Sequence, residues 1–84
     1  MPFEDLPEVP VPAEMESFGD RATVYQLLGR LPRSGQEVLI LHHLLGLSFQ
    51  EVGQILGLAA GTAKVRAHRA MKSLKEIAAG EAAS

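Results

Sequence analysis

The stretch SFQEVGQILGLAAGTAKVRAHRAMKSLK, Ser48 to Lys75, restricts the fold more than any other part of the chain. Ser48 followed by Glu51 is a capping-box pattern: the serine oxygen accepts a backbone N–H three residues on, and the glutamate reaches back to the serine N–H. The helix so opened ends about eight residues later, because Gly57 readily takes the left-handed conformation that stops a helix. Leu58 follows, and a longer helix begins near Ala59 or Ala60 and continues to about Ala78. A short helix, a glycine-containing turn and a longer helix make a helix-turn-helix. Val52, Leu56 and Leu58 are the apolar residues expected to pack the pair. Gly53 sits inside the short helix, where glycine costs about 1 kcal/mol relative to alanine. Close approach of the following helix is the expected compensation.

The upstream chain is punctuated in the same way. Ser17 with Asp20 can cap a first helix, whose apolar positions Val24, Leu27, Leu28 and Leu31 follow helical spacing. Leu31-Pro32 stops it, since a residue before proline avoids the α region. Ser34-Gly-Gln-Glu37 reads as a capping box for a second helix over roughly Gly35 to Leu45. That helix is apolar nearly all round and should be the central buried one. Gly46 suits its left-handed end. Nothing favours a strand. The fold class is all-α, a four-helix domain with a C-terminal helix-turn-helix spanning residues 17–84. Residues 1–16, with Pro2, Pro7, Pro10 and Pro12 among acids, read as an extended linker or tail.

A chain of 84 residues makes one small domain, burying only about 60–65% of its unfolded surface. With no cysteine there is neither a disulfide framework nor a thiolate zinc site. The longest apolar run, Val38 to Leu47, is about half of what a bilayer requires, and no signal peptide opens the chain, so the reading is a cytoplasmic protein with no membrane partner. The net charge of −2 averages two unlike parts. Residues 1–20 hold Glu4, Asp5, Glu8, Glu14, Glu16 and Asp20 with no Lys or Arg, a balance of −6. The rest sets eight basic residues against Glu37, Glu51, Glu76 and Glu81, a balance of +4. This asymmetry fits an acidic tail joined to a polyanion-binding domain.

With Ala63 pointing inward on the last helix, Ala67, Ala70, Leu74 and Ile77 share its side at about 100° per residue. Lys64, Val65, His68, Arg69 and Lys72 fall on the opposite arc, and no acid lies between Lys64 and Lys75 to pair with the cations. A solvated helix face is the plain alternative. It is weakened because this is the second helix of a helix-turn-helix, the one that enters a major groove. His42 and His43 are adjacent and diverge on a helix, so they do not chelate one metal together. Neither a nucleophile–base pair nor a phosphate-cradling glycine loop is present, so there is no catalytic residue, metal site or cofactor to assign and the chain does not read as an enzyme.

Residues Leu31 to Glu76 resemble region four of bacterial sigma factors, most closely the extracytoplasmic-function group. The likeness rests on Leu31-Pro32, Val38, Gly46-Leu47-Ser48 with Phe49 and Glu51, Gly57, Gly61-Thr62 with Lys64, and Arg66-x-His68-Arg69-Ala70. The chain departs from the family pattern at Gln36, where arginine is common, at Ala63 and Ala67, which replace larger aliphatics, and at Val65, which replaces a small polar residue. The resemblance implies sequence-specific binding to the upstream, minus-thirty-five promoter element as part of an RNA polymerase sigma factor. Lys64, Val65, His68 and Arg69 would face bases, as arginine and lysine suit guanine and valine suits a thymine methyl. Ser48, Phe49, Gly61, Thr62, Arg66 and Lys72 complete the expected DNA-binding set, several of them on phosphates. The implied partners are promoter DNA bound as a monomer, the β-subunit flap of RNA polymerase core and an anti-sigma factor. Two alternatives stand beside this reading: a sigma-like module that binds an anti-sigma factor without DNA, and a response-regulator output domain.

Overall fold

The computed structural model describes residues 11–83. The acids and prolines of residues 1–10, most of the expected linker, lie outside the described residues. The described chain opens with a 3-10 turn, Ala13–Phe18. Four α-helices follow: α1 (Arg21–Gly29), α2 (Arg33–Leu39), α3 (Phe49–Leu56) and α4 (Ala60–Ala83). A π-helical segment, Ile40–Leu44, continues α2. Helix is the only regular structure among the described residues, in line with the all-α expectation.

The folded unit starts earlier than residue 17. Met15 is fully buried among the core residues, and its N–H bonds the Pro12 carbonyl at 2.8 Å. The turn that seats it runs across the expected boundary, with Met15 buried and Ala13, Glu14 and Glu16 exposed. Proline and acid content hid this, because one buried methionine outweighs the surrounding polarity. The cap of α1 is Asp20 alone: its Oδ1 accepts the Thr23 N–H at 2.9 Å, while Ser17 sits inside the 3-10 turn. The bonds from Thr23 hold the Asp20 carboxyl below its usual range.

The Ser34–Glu37 capping box does not form. Pro32 is the N-cap, with no side-chain cap, and α2 begins at Arg33. The Pro32 carbonyl accepts the Gly35 and Gln36 N–H groups, each at 3.0 Å, so the helix starts upstream and leaves Ser34 inside it. Glu37 instead accepts from Arg33 Nε at 3.1 Å. Gln36 donates from Nε2 to the Leu31 carbonyl at 2.9 Å and ties α2 back to the turn that follows α1.

The central helix is not α throughout. The Leu45 N–H reaches Ile40 O, and the Leu47 N–H reaches Leu41 O, each at 3.0 Å. The extra residue in this wider turn leaves Leu44 in the core while His42 and His43 both line one cleft. Leu45 is left 51% exposed. Gly46 closes the segment at φ +75°.

The α3–turn–α4 unit follows the sequence closely. Ser48 Oγ accepts the Glu51 N–H at 3.1 Å, and Glu51 Oε1 accepts the Ser48 N–H at 3.0 Å. Gly57 stands in the left-handed region at φ 72°. The need for glycine at 53 has a nearer cause than the following helix. A Cβ there would collide with the Leu58 carbonyl oxygen in the turn itself. Leu58 also bonds back, N–H to Gly53 O, at 2.8 Å. Along α4, Ala63, Ala67, Ala70 and Leu74 are buried as expected, joined by Met71. The alanines let α4 lie close to both α2 and α3, its main packing partners.

Candidate nucleic-acid interface

The outer arc of α4 is built by what the inner face buries. With Ala63, Ala67, Ala70 and Leu74 fixed against the core, helical geometry turns Lys64, Val65, Arg66, His68, Arg69 and Lys72 to solvent. All six are exposed, and Val65 is 47% exposed. Among the described residues, none of the α4 cations meets a carboxylate within salt-bridge distance. Gly61 and Thr62, in the first turn, are also exposed.

Ser48 and Phe49 sit differently. The Ser48 hydroxyl oxygen accepts from Glu51, although the residue is exposed. Phe49 is half-buried against the core and stacks on His42, ring centroids 3.9 Å apart and planes 17° from parallel. The structure therefore exposes Gly61, Thr62, Lys64, Val65, Arg66, His68, Arg69 and Lys72 around the solvent side of α4 and places Ser48 and Phe49 at the head of the neighbouring helix.

Two grooves flank α4. On one side Arg66 and Arg69 line a shallow groove of about 320 Å³ with Ser34, Gly35 and Ser73. On the other, His68 and Lys75 line a cleft of about 360 Å³ with His42, His43, Phe49 and Glu14. His43 Nε2 lies 2.8 Å from Glu14 Oε2. The carboxylate can only accept, so Nε2 carries the proton. Burial holds the His43 pKa below its usual value of 6.5, against the raising influence of Glu14. The π turn that brings His42 and His43 to one cleft has no signature in residue spacing.

A helix-turn-helix whose second helix shows an unpaired basic arc defines a class, the major-groove DNA-binding domains. Within that class the chain belongs to the family described as Sigma-70, region 4, whose model matches residues 21–74. It is 37% identical over 76 residues to the RNA polymerase sigma-E factor of Streptomyces coelicolor, covering 90% of this chain and 43% of that protein. It is 37% identical over 87 aligned residues to the ECF RNA polymerase sigma factor SigD of Mycobacterium tuberculosis, covering 95% of this chain and 41% of the relative. RNA polymerase sigma factor CarQ of Myxococcus xanthus is 33% identical over 57 residues, 68% of this chain and 33% of that protein. The chain thus spans less than half the length of these relatives. No solved structure matches it significantly.

Proposed function

We propose that this chain is the promoter-reading region of an extracytoplasmic-function sigma factor, binding the minus-thirty-five element during transcription initiation in the cytoplasm. The observation that carries the reading is the exposed, carboxylate-free arc of α4 from Lys64 to Lys72. Lys64, Val65, His68 and Arg69 face base edges in the major groove, and Arg66, Lys72, Thr62 and the Gly61 backbone hold phosphates. The relatives, named as sigma factors, support RNA polymerase as the partner. The β flap is proposed to dock on the domain, and an anti-sigma factor to cover the basic arc. No helix among the described residues is long and apolar enough to cross a membrane.

Selection from a randomised duplex library tests the reading. One enriched, non-palindromic element, bound by a monomer and lost with Lys64→Ala, is the expected result. Two symmetric half-sites occupied by a dimer would instead indicate a response-regulator output domain. A folded chain that enriches no sequence would leave the anti-sigma module as the reading.

A further inference from the structure

The three histidines of the sequence all line the cleft beside α4. His68 comes from the exposed arc, and His42 and His43 from the π segment, their rings edge to face at 4.8 Å. Glu14 enters from the N-terminal 3-10 turn, anchored by the buried Met15 next to it. Lys75 completes the charged lining, while α3 contributes only Phe49. With neutral imidazoles the cleft holds one carboxylate and one ammonium, a balance near zero. With Nε2–H given to Glu14, His43 Nδ1 is a bare acceptor, and it is buried with no hydrogen-bond partner among the described residues. Any proton added at Nδ1 puts a buried N–H beside His42, His68 and Lys75, with Glu14 the one carboxylate among the described residues that line the cleft.

We infer that this cleft makes the domain's grip on DNA proton-linked, with Glu14 competing against the DNA backbone for the histidine cluster. The inference rests on the proposed DNA-binding reading, because His68 belongs to the DNA-facing arc. At neutral pH the Glu14 carboxylate holds His43 and repels an approaching phosphate. A phosphate beside the cleft favours imidazolium over imidazole, so binding takes up protons. By linkage, affinity for DNA then rises as pH falls. The free domain behaves in the opposite sense. Its buried His43 resists protonation, so acid without DNA weakens the fold. The bound and free states therefore differ in proton content.

The test uses the full chain, a short mixed-sequence DNA duplex at low salt, and circular dichroism to establish folding at each pH. Affinity measured by fluorescence anisotropy should tighten about three- to tenfold between about pH 8 and about pH 6. Calorimetry in two buffers of unlike ionisation enthalpy should show proton uptake on binding. Glu14→Gln should tighten binding near pH 8 by about two- to fivefold, a gain that misfolding does not produce. His43→Gln, whose amide can still donate to Glu14, should keep the fold and lose part of the proton uptake. If that variant does not fold, the Glu14→Gln arm decides alone. A flat pH profile, full proton uptake in a folded His43→Gln, or an unchanged Glu14→Gln affinity overturns the linkage and leaves the DNA-binding reading intact. A folded chain that binds no duplex at either pH overturns both.

Discussion

His42 lies flat against Phe49, ring centroids 3.9 Å apart, and its Nδ1 is 2.7 Å from the Leu47 carbonyl oxygen. Since that oxygen can only accept, Nδ1 carries the proton. One side chain therefore holds both the turn before α3 and the first residue of α3. His42→Ala is expected to lower stability by about 1–2 kcal/mol, the sum of a hydrogen bond and a ring stack. Urea unfolding measures it. An unchanged midpoint would mean that the turn is held by Gly46 and Ser48 alone.

Gly53→Ala sets two effects against each other. Alanine gains about 1 kcal/mol of helix propensity. Its Cβ collides with the Leu58 carbonyl oxygen, which is backbone and also neighbours the bond from the Leu58 N–H to Gly53 O. Overpacking typically costs about 1–3 kcal/mol, and backbone cannot swing aside as a side-chain tip can. The net expectation is destabilisation together with weaker DNA binding, because the α3–α4 angle must open. A thermal melt that rises on substitution would show that the turn has slack.

How much was legible in the sequence depended on whether a signal was local. The Ser48–Glu51 box, Gly57 and the α4 faces are set by spacings of three or four residues along one helix, and they appear as read. The Ser34–Glu37 box has the same spelling, yet the entry is set by Pro32 two residues earlier. A four-letter motif cannot reveal that competition. The Glu14–His43 contact joins residues 29 positions apart, and the π turn rests on backbone bonds that side-chain spacing does not announce. The exposed basic arc was legible because α4 has an alanine stripe, Ala63, Ala67 and Ala70, behind it. The part of the site around Phe49 was not, since its half-buried ring is defined by His42 on another element.

Met15→Ala tests where the domain begins. A fully buried methionine replaced by alanine is expected to cost about 2–5 kcal/mol. Equal stability of Met15→Ala and the parent chain would return residues 13–16 to the linker.

The capping box has a pH signature. Bonds from the Ser48 backbone N–H and then from its side chain hold the Glu51 carboxyl below its usual 4.5. A depressed carboxylate contributes stability that is complete above the unfolded pKa and is lost as pH falls through the folded one. Stability should therefore decline below about pH 4.5, joined by the lowered Asp20 of α1. The depressed His43 has the same sign, beginning below about 6.5. Ser48→Ala is expected to remove about 0.5–2 kcal/mol at neutral pH and to flatten the acid limb. Melting temperatures of parent and variant between neutral and acidic pH check both statements. Parallel curves would show that Glu51 draws no stability from the box.

Val65 and Arg69 are the residues whose side chains should carry base preference with little influence on the fold. Both are exposed on α4, one turn apart, with the alanine stripe behind them. Val65→Ser is expected to change stability by less than about 0.5 kcal/mol, as an exposed substitution away from cap, core and network does. It should shift the preferred element, because a hydroxyl that hydrogen-bonds a base edge replaces a methyl surface suited to thymine. Arg69→Ala should relax preference at one or two positions by about 1–3 kcal/mol. Binding constants for the selected element and its single-base variants, at fixed salt, provide the readout. Uniform weakening across all sequences would identify Arg69 as a phosphate contact, consistent with its place beside Arg66 and Ser34 in the groove away from the histidines. The base-facing arc would then centre on Lys64, Val65 and His68.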